Sequence, residues 1–299
     1  MIHVFAVDPT IFLVDPALTS LVRAGLQLHR GRAIAKFPIN WSAEVSKQIA
    51  SLAPMQRKRL MTWLEEVKPF SDCKRHHDSE CNWLANAKSH QGNAGTSYRA
   101  ILSTESDAET RVLNIRGLED SDEHWRVDSQ AVIPRKNREI AEACKFFMLH
   151  ANKIILVEPY FDPGDEHKRR TLTAILQTLP KRAGGKPEIE LHTYKNPKFN
   201  LKFSEDFESE VPGCIPKGFT VNGFLWEKIE GGERFHRRYV LTDIGGMYFE
   251  GGLDSGQAGE TTDVALLEPT LNRERKKDYH PMSTKFNLVR KFSVNGARQ

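Results

Sequence analysis

Residues 235–254 read FHRRYVLTDIGGMYFEGGLD and combine a predicted strand, a glycine turn and several polar side chains. Residues 235–241 are rich in aromatic and β-branched side chains, which favours a β-strand. Because residues two apart point to the same face of a strand, His236 and Arg238 are expected to project side by side. A histidine beside a fixed cation suits a phosphate group, with the imidazole as nucleophile or general base.

Asp243 follows this predicted strand, on a turn that Gly245 and Gly246 favour. Its carboxylate is expected either to accept the second N–H of the His236 imidazole or to brace a neighbouring strand. The spacing H-x-R-x4-D also arises by chance in chains of this composition. The alternative interpretation is therefore a half-exposed strand whose histidine and arginine are solvated.

The composition describes a globular protein with a mildly basic surface. The chain has 299 residues, 39% of them hydrophobic, and a net charge of +4, which fits one large or two ordinary domains. No apolar run reaches the roughly 18 residues of a membrane-spanning helix, and no signal-peptide pattern opens the chain. Four unevenly spaced cysteines fit a reducing compartment. The sequence thus predicts a cytoplasmic protein without a membrane span.

The C-terminal half has the rhythm of an α/β domain, a sheet flanked by helices. Helices are predicted at 135–150, 168–179 and 200–211, and strands at 153–157, 188–194, 220–228, 235–241 and 247–250. Ligands of such sheets gather at strand ends, where Glu158, Asp243 and Asp254 are expected to lie. Glu158 is predicted to orient His236, with a solvated strand-end acid as the alternative.

The N-terminal half is predicted to be a mainly helical α+β domain that recognises a target or a partner protein. Helices are expected at 18–27, 42–53 and 56–67, and strands at 2–7, 34–37, 98–102 and 111–115. An acidic, turn-like run at 118–123 precedes a change in character of the chain. The domains are therefore placed at 1–127 and 128–299.

Two further groups of residues are candidates for binding. Lys195, Arg273 and Lys276 are expected to contact substrate phosphates, the alternative being solvated basic runs. Cys73, His76, His77 and Cys81 lie within nine residues and are of the types that ligate zinc. Zinc clips usually take two separated ligand pairs, so an ordinary polar loop is the favoured interpretation and no metal is predicted.

The C-terminal half resembles the phospholipase D superfamily over roughly residues 130–299. The H-x-R-x4-D motif followed by glycines is similar to the HKD signature of that superfamily. The segment KIILVEPYF resembles the strand that opens such domains in bacterial members. The Gly-Gly-Leu-Asp ending at Asp254 resembles the variant domain at the C-terminus of MIT-domain proteins.

This resemblance implies a mechanism that needs neither metal nor cofactor. Two HKD histidines face each other, so that one attacks phosphorus and the other protonates the leaving group. By position, His236 is the nucleophile or acid, Arg238 takes the place of the lysine, and Asp243 is the aspartate. Only one such motif occurs here, so the resemblance implies a homodimer that brings His236 from both subunits together.

The chain departs from the signature in two ways. Arg238 replaces lysine, and the downstream Gly-Ser-x-Asn is absent. The main expectation is a metal-independent nuclease, acting on DNA or RNA, of the kind found in bacterial phage defence. The alternative is a non-catalytic module that binds nucleic acid, anionic lipid or a protein partner, as the MIT-associated domains do. A structural subunit of a larger complex is the third interpretation.

Overall fold

The computed structural model describes residues 1–67, 69–70, 75–180, 185–195 and 202–298. The chain divides into two compact units, Met1–Ser129 and Gln130–Gln299. Each unit has its own β-sheet, and the boundary between the units falls two residues after the predicted one.

In the N-terminal unit, the described residues form four short parallel strands and four α-helices. The strands are β1 (His3–Val7), β2 (Arg32–Ile34), β3 (Ile101–Ser103) and β4 (Val112–Asn114). The helices are α1 (Pro16–Gly25), α2 (Trp41–Gln48), α3 (Pro54–Val67) and α4 (Trp83–Ser89). The strand order is β2-β1-β3-β4, so β1 lies inside the sheet and is buried in its second half.

A buried tryptophan fixes the end of β1 to α2. Trp41 has no exposed surface, and its indole N–H donates to the carbonyl oxygen of Val7 at 2.6 Å. The ring of Phe12 packs edge-on against Trp41, with centroids 6.1 Å apart. Edge-to-face pairs of this kind add about 0.5–1.5 kcal/mol to the burial of the rings. The apolar face of α2 therefore holds the strand from one side.

The described residues of the C-terminal unit form a mixed sheet of eight strands and four further α-helices. The strands are β5 (Gln130–Pro134), β6 (Lys153–Val157), β7 (Glu188–Tyr194), β8 (Thr220–Lys228), β9 (Arg238–Thr242), β10 (Gly246–Phe249), β11 (Thr261–Leu266) and β12 (Phe286–Asn295). The helices are α5 (Asn137–His150), α6 (Glu166–Leu176), α7 (Phe203–Glu210) and α8 (Pro269–Asp278).

The order of this sheet is β12-β8-β7-β6-β9-β10-β11-β5. Strands β6, β7 and β8 are parallel, whereas β9 runs antiparallel to β6. The carboxyl ends of β6 and β7 therefore meet the amino end of β9 at one edge. This edge brings together several residues that the sequence analysis selects.

One face of the sheet carries a large aromatic core. Tyr239 of β9 and Val157 of β6 belong to it, together with Tyr279, which directly follows α8. The rings of Tyr239 and Tyr279 lie 6.3 Å apart. Because side chains alternate along a strand, Arg238 points to the opposite face. Helix α8 and Arg238 thus lie on different sides of the sheet.

The predicted α/β class is confirmed, with a mixed sheet flanked by helices in the C-terminal unit. Strands β6, β7 and β8 occupy the predicted residues. Helices α4 and α8 and strands β5, β11 and β12 are not predicted from the sequence. No helix in the described part of the chain is both long and apolar enough to span a membrane.

Candidate functional site

The candidate site lies where β6 ends and β9 begins. Val157 pairs with Tyr239 across the two strands, so Glu158, the first residue after β6, lies level with Arg238. The sequence analysis selects both Glu158 and Arg238, and the strand register places them at the same edge. His236 precedes Arg238 by two residues at this edge.

His236 lies outside the strand, contrary to the sequence prediction. Strand β9 begins at Arg238, and His236 is exposed in the loop between β8 and β9. The reason is the length of the neighbours, because β6 ends at Val157 opposite Tyr239 and β10 ends at Phe249 opposite Arg238. A segment that lacks a backbone partner cannot continue as a strand. His236 and Arg238 are therefore not held side by side on one pleat.

A hydrogen bond within the loop nevertheless defines the tautomer of the His236 imidazole. The Nδ1 atom of His236 lies 2.8 Å from the carbonyl oxygen of Arg234. A carbonyl oxygen only accepts hydrogen bonds, so Nδ1 carries the proton and Nε2 of the neutral ring carries the lone pair. An exposed Nε2 with a lone pair can act as a nucleophile or as a base.

Arg238 supplies the cation of this edge. One of its terminal nitrogens donates to the carbonyl oxygen of Glu250 at 3.1 Å, and its guanidinium lies 5.2 Å from the centre of the Tyr160 ring. Its Nε atom is buried without a hydrogen-bond partner among the described residues. This buried atom is out of reach of a ligand, but the second terminal nitrogen has no hydrogen bond to a described residue and remains a donor, as a phosphate-binding arginine requires.

Among the described residues, Glu158 forms its hydrogen bonds with backbone groups and none with His236. It is 5% exposed, and its carboxylate accepts hydrogen bonds from the backbone N–H of Leu253 at 2.7 Å and of Tyr160 at 3.1 Å. Burial raises the pKa of this carboxyl group, and nearby Asp254 adds to the increase, while the two backbone donors and Arg238 oppose it. Glu158 therefore fastens the segment around Leu253 to the end of β6.

Asp254 pairs with an arginine that the sequence analysis does not select. Its Oδ1 atom lies 2.5 Å from a terminal nitrogen of Arg135, and the other terminal nitrogen lies 3.0 Å from Glu260. Gly252 permits this approach, because its φ is +112° and a Cβ atom there would lie 2.7 Å from Asp254. The segment from Glu250 to Glu260 is thus clamped to the end of β5.

Asp243 lies at the other end of β9 from His236. Its Oδ1 atom accepts hydrogen bonds from the backbone N–H of Asn152 at 2.9 Å and of Lys153 at 3.2 Å. Of the two roles that the sequence leaves open, the geometry matches the brace of a neighbouring strand. Asp243 secures the start of β6 and has no contact with the imidazole.

The three predicted substrate-binding cations lie in two places. Lys195 follows β7 at the same edge as Glu158, and its ammonium lies 2.5 Å from Glu227. Arg273 and Lys276 belong to α8, on the opposite face of the sheet from Arg238. Lys276 donates to the carbonyl oxygen of Thr242, at the far end of β9. The structure brings Lys195 to the edge and places the α8 cations elsewhere.

A second histidine lies at this edge, and the sequence motif gives no signal for it. His167, in the first turn of α6, places Nε2 at 2.6 Å from the carbonyl oxygen of Ser255 and at 3.0 Å from its hydroxyl. Ser255 follows Asp254, and its backbone N–H donates to Thr171 of α6 at 3.1 Å. Only the fold places His167 beside the 250–260 segment, since the two are far apart in sequence.

A cleft of about 640 Å³ opens beside Tyr160, at the same edge of the sheet. Its walls combine aromatic rings with charges of both signs. The described lining residues are Pro159, Tyr160, Phe161, Asp162, Asp165, Lys168, Tyr194, Lys195, Phe203, Ser204, Leu225, Val289 and Arg290. Lys168 and Lys195 add positive charge to the wall nearest Arg238.

The candidate zinc residues are only partly described, because Cys73 lies outside the described residues. The ring of His77 packs against Phe37 at 5.4 Å, and the exposed thiol of Cys81 lies 3.5 Å from Asp78. No group of three or more metal-ligating side chains occurs among the residues that the structure describes.

No protein-family model and no curated protein sequence matches the chain. Among solved structures, a polyphosphate kinase from Porphyromonas gingivalis aligns with a TM-score of 0.35 and 11% identity, over 54% of this chain and 27% of that one. TrmBL2, an archaeal chromatin protein with a novel mode of DNA binding, aligns with a TM-score of 0.30 and 13% identity, over 55% of each chain. The chain spans about a quarter of the kinase and about half of the chromatin protein. Similarity at this level does not assign the chain to a family.

Proposed function

We propose that the C-terminal unit is a phospholipase D-like, metal-independent phosphodiesterase that cleaves nucleic acid, either DNA or RNA. The observation that carries the proposal is the tautomer of the exposed His236 imidazole. Its Nδ1 proton is held by the carbonyl oxygen of Arg234, and the exposed Nε2 carries the lone pair, two residues before the cation of Arg238. These are the two groups that attack on a phosphodiester requires.

In the proposed reaction, Nε2 of one His236 attacks phosphorus, so that a P–N bond forms and a P–O bond breaks. The leaving oxygen takes a proton from a second imidazole in its protonated form. Water then attacks the phosphorus, so that a new P–O bond forms and the P–N bond breaks, which frees the first imidazole. The water gives a proton to the second imidazole, which returns to its protonated form. Arg238 neutralises the charge on the non-bridging phosphate oxygens.

The second imidazole is proposed to be His236 of the partner subunit in a symmetric homodimer. An isologous interface brings identical residues together near its two-fold axis, and the exposed position of His236 allows such an approach. A setting in bacterial phage defence, with the N-terminal unit as the recognition or partner-binding domain, belongs to the same proposal.

The decisive experiment is a cleavage assay in EDTA with labelled DNA and RNA. Wild-type protein is expected to cut at least one polymer, and His236→Ala is expected to lose all turnover while still binding it. His124→Ala, which changes a histidine of the N-terminal unit, is the matched control and is expected to cut normally. Intact-mass measurement at alkaline pH is expected to trap wild-type protein that carries a nucleotide fragment on its histidine, because the P–N bond of such an adduct is labile in acid. Cleavage that survives in His236→Ala would refute the mechanism.

A non-catalytic binding module is the second candidate, and one observation favours it. Asp254 and Glu260 crowd Arg135, and Asp254 lies close enough to Glu158 to raise its pKa further. Acids repel an anionic phosphate in the place where the superfamily signature has Gly-Ser-x-Asn. Under this candidate the wild type binds an anionic partner tightly and cuts neither polymer under any condition that keeps it folded.

A further inference from the structure

Helix α8 and the loop that follows it form a basic concave surface, called here the α8 surface. The concavity measures about 810 Å³ and is open to solvent. Its lining residues are Arg273, Lys276, Lys277, Asp278, His280, Met282, Ser283, Thr284 and Lys285. Four cations and one acid give this lining a net charge of +3 with His280 neutral, so it attracts anions.

The cations of the α8 surface differ in whether they already form ion pairs within the protein. Lys285 forms ion pairs with Glu233 at 2.8 Å and Asp278 at 3.1 Å. Arg273 and Lys277 are exposed, and the side chain of Lys277 forms no ion pair with a described residue. Because residues four apart are neighbours on a helix surface, Arg273 and Lys277 present two cations side by side. A ligand can reach both without breaking an internal ion pair.

The α8 surface is separate from the edge that carries Arg238, yet one end of it approaches His236. Tyr239 faces α8, and Arg238 points to the opposite side of the sheet. Lys285, at the end of the α8 surface, pairs with Glu233 in the loop that carries His236 three residues later. A polymer that lies on α8 would therefore run toward this loop.

The shape and composition of the surface favour a nucleic acid over a membrane. Helix α8 has charged residues in most positions and one buried residue, Asn272, so it lacks the broad apolar face of a membrane-binding helix. The surface is concave, and Ser283 and Thr284 add hydroxyl donors between the cations. Cations and hydroxyls in a groove are the groups that contact the sugar–phosphate backbone without reading sequence.

We infer that the α8 surface docks the phosphate backbone of a nucleic acid strand, as a contact distinct from the groups around His236. This binding does not depend on whether the C-terminal unit cleaves the strand. Docking by phosphate contacts predicts affinity that falls with salt and varies little with sequence.

The test measures binding of labelled single-stranded DNA and RNA by fluorescence anisotropy, from 50 to 200 mM salt. Arg273→Gln/Lys277→Gln is expected to weaken binding about tenfold and to lower the salt slope by about 1.4, for two phosphate contacts on a single strand. The matched control is Lys58→Gln/Arg59→Gln, which removes one exposed lysine and one exposed arginine from α3. The control and His236→Ala are expected to bind within twofold of wild type.

Three results would overturn the inference. These are wild-type affinity in Arg273→Gln/Lys277→Gln, an equal loss in Lys58→Gln/Arg59→Gln, and displacement of the strand by anionic phosphatidylserine vesicles but not by unlabelled DNA. Loss of cleavage in His236→Ala with normal binding would leave the inference intact. Failure of the proposed reaction and failure of the docking surface are therefore distinguishable.

Discussion

Asp243 and His236, two members of one sequence motif, lie at opposite ends of β9. Asp243 follows the last residue of the strand and accepts hydrogen bonds from Asn152 and Lys153, whereas His236 precedes the first residue, Arg238. The motif therefore combines residues with different structural roles. Asp243 secures the sheet, and His236 and Arg238 are the residues for which ligand binding is proposed.

This separation predicts that Asp243→Ala changes stability and leaves the site intact. Loss of two hydrogen bonds from a carboxylate is expected to lower the free energy of unfolding by about 1–2 kcal/mol, the exposure of Asp243 keeping the value modest. Urea denaturation measures this change, with Asp263→Ala as a control for an exposed strand acid. Nucleic-acid binding at a temperature where both variants are folded is expected to match wild type. A binding defect without a stability loss would place Asp243 in the site after all.

The sequence predicts the buried strands well because each is a continuous apolar run between turn residues. The runs at 153–157 and 188–194 match β6 and β7 fully. The prediction is wrong at His236, since strand propensity does not show where a partner strand ends. The aromatic side chain of Phe235 favours a strand in the sequence, but in the structure it lies outside β9 and fills the core beside Tyr279.

Contacts between distant segments account for the residues that sequence analysis misses. Arg135 is 119 residues from Asp254, and His167 is 88 residues from Ser255. No local periodicity signals either pair. The contact of Arg135 depends on β5 pairing with β11 at the far edge of the sheet, and that of His167 depends on α6 packing beside Ser255. Asp254 is a candidate from the sequence alone, whereas its partner Arg135 is not.

Gly252 is expected to be intolerant of a side chain. Gly252→Ala would add a Cβ atom 2.7 Å from Asp254 at a φ of +112°, so both contact and backbone conformation are unfavourable. Gly259→Ala is the matched control, with a φ of +91° and open space around its Cβ position. In urea denaturation, we expect the free energy of unfolding to fall by about 1 kcal/mol more in Gly252→Ala than in Gly259→Ala. Equal losses of stability in the two variants would show that the 250–260 segment accommodates the added methyl group by moving.

Neutralising Asp254 is expected to improve phosphate binding. Asp254→Asn keeps an oxygen that accepts from Arg135 but removes a negative charge near Glu158 and Arg238. Removing one like charge near a surface site is worth about 1 kcal/mol, or roughly fivefold in affinity for inorganic phosphate. Isothermal titration against phosphate measures the change, and Glu260→Gln, which removes the other acid of Arg135, controls for general charge. Weaker phosphate binding in Asp254→Asn would instead show that the Arg135 pair itself shapes the site.

The buried side chains of His192 and Glu190, in the same sheet, predict that the protein loses stability in acid. The Nδ1 atom of His192 accepts from the indole N–H of Trp226 at 3.0 Å, so the ring is neutral, and its Nε2–H donates to Glu190 at 3.1 Å. Burial lowers the pKa of His192. Burial alone would raise the pKa of Glu190, but the bonds from His192 and Lys153 outweigh it and bring it to about 2.

Both pKa values are lower in the folded than in the unfolded protein, so the unfolded state binds more protons as the pH falls. The contribution of His192 is fully present above its ordinary pKa of about 6.5 and is lost as the pH falls below it. That of Glu190 is lost from about 4.5 downward. Urea midpoints from pH 8 to 4 are expected to fall steadily below pH 6.5, and His192→Gln is expected to flatten the fall between pH 6.5 and 5. His124→Gln is the control, and an unchanged slope in His192→Gln would show that other groups dominate.

The proposed homodimer makes a prediction about mixed subunits. If each site uses His236 from both chains, a dimer of one wild-type and one His236→Ala subunit has no complete site. Unfolding and refolding wild type with a threefold excess of His236→Ala leaves about one sixteenth of all dimers purely wild type under random pairing. Activity per wild-type chain is then expected to drop to about a quarter, whereas a threefold excess of His124→Ala is expected not to reduce it. Undiminished activity with His236→Ala would mean that one chain supplies both proton-transfer groups, and His167→Gln would be the next variant to assay, since His167 lies at the same edge of the sheet.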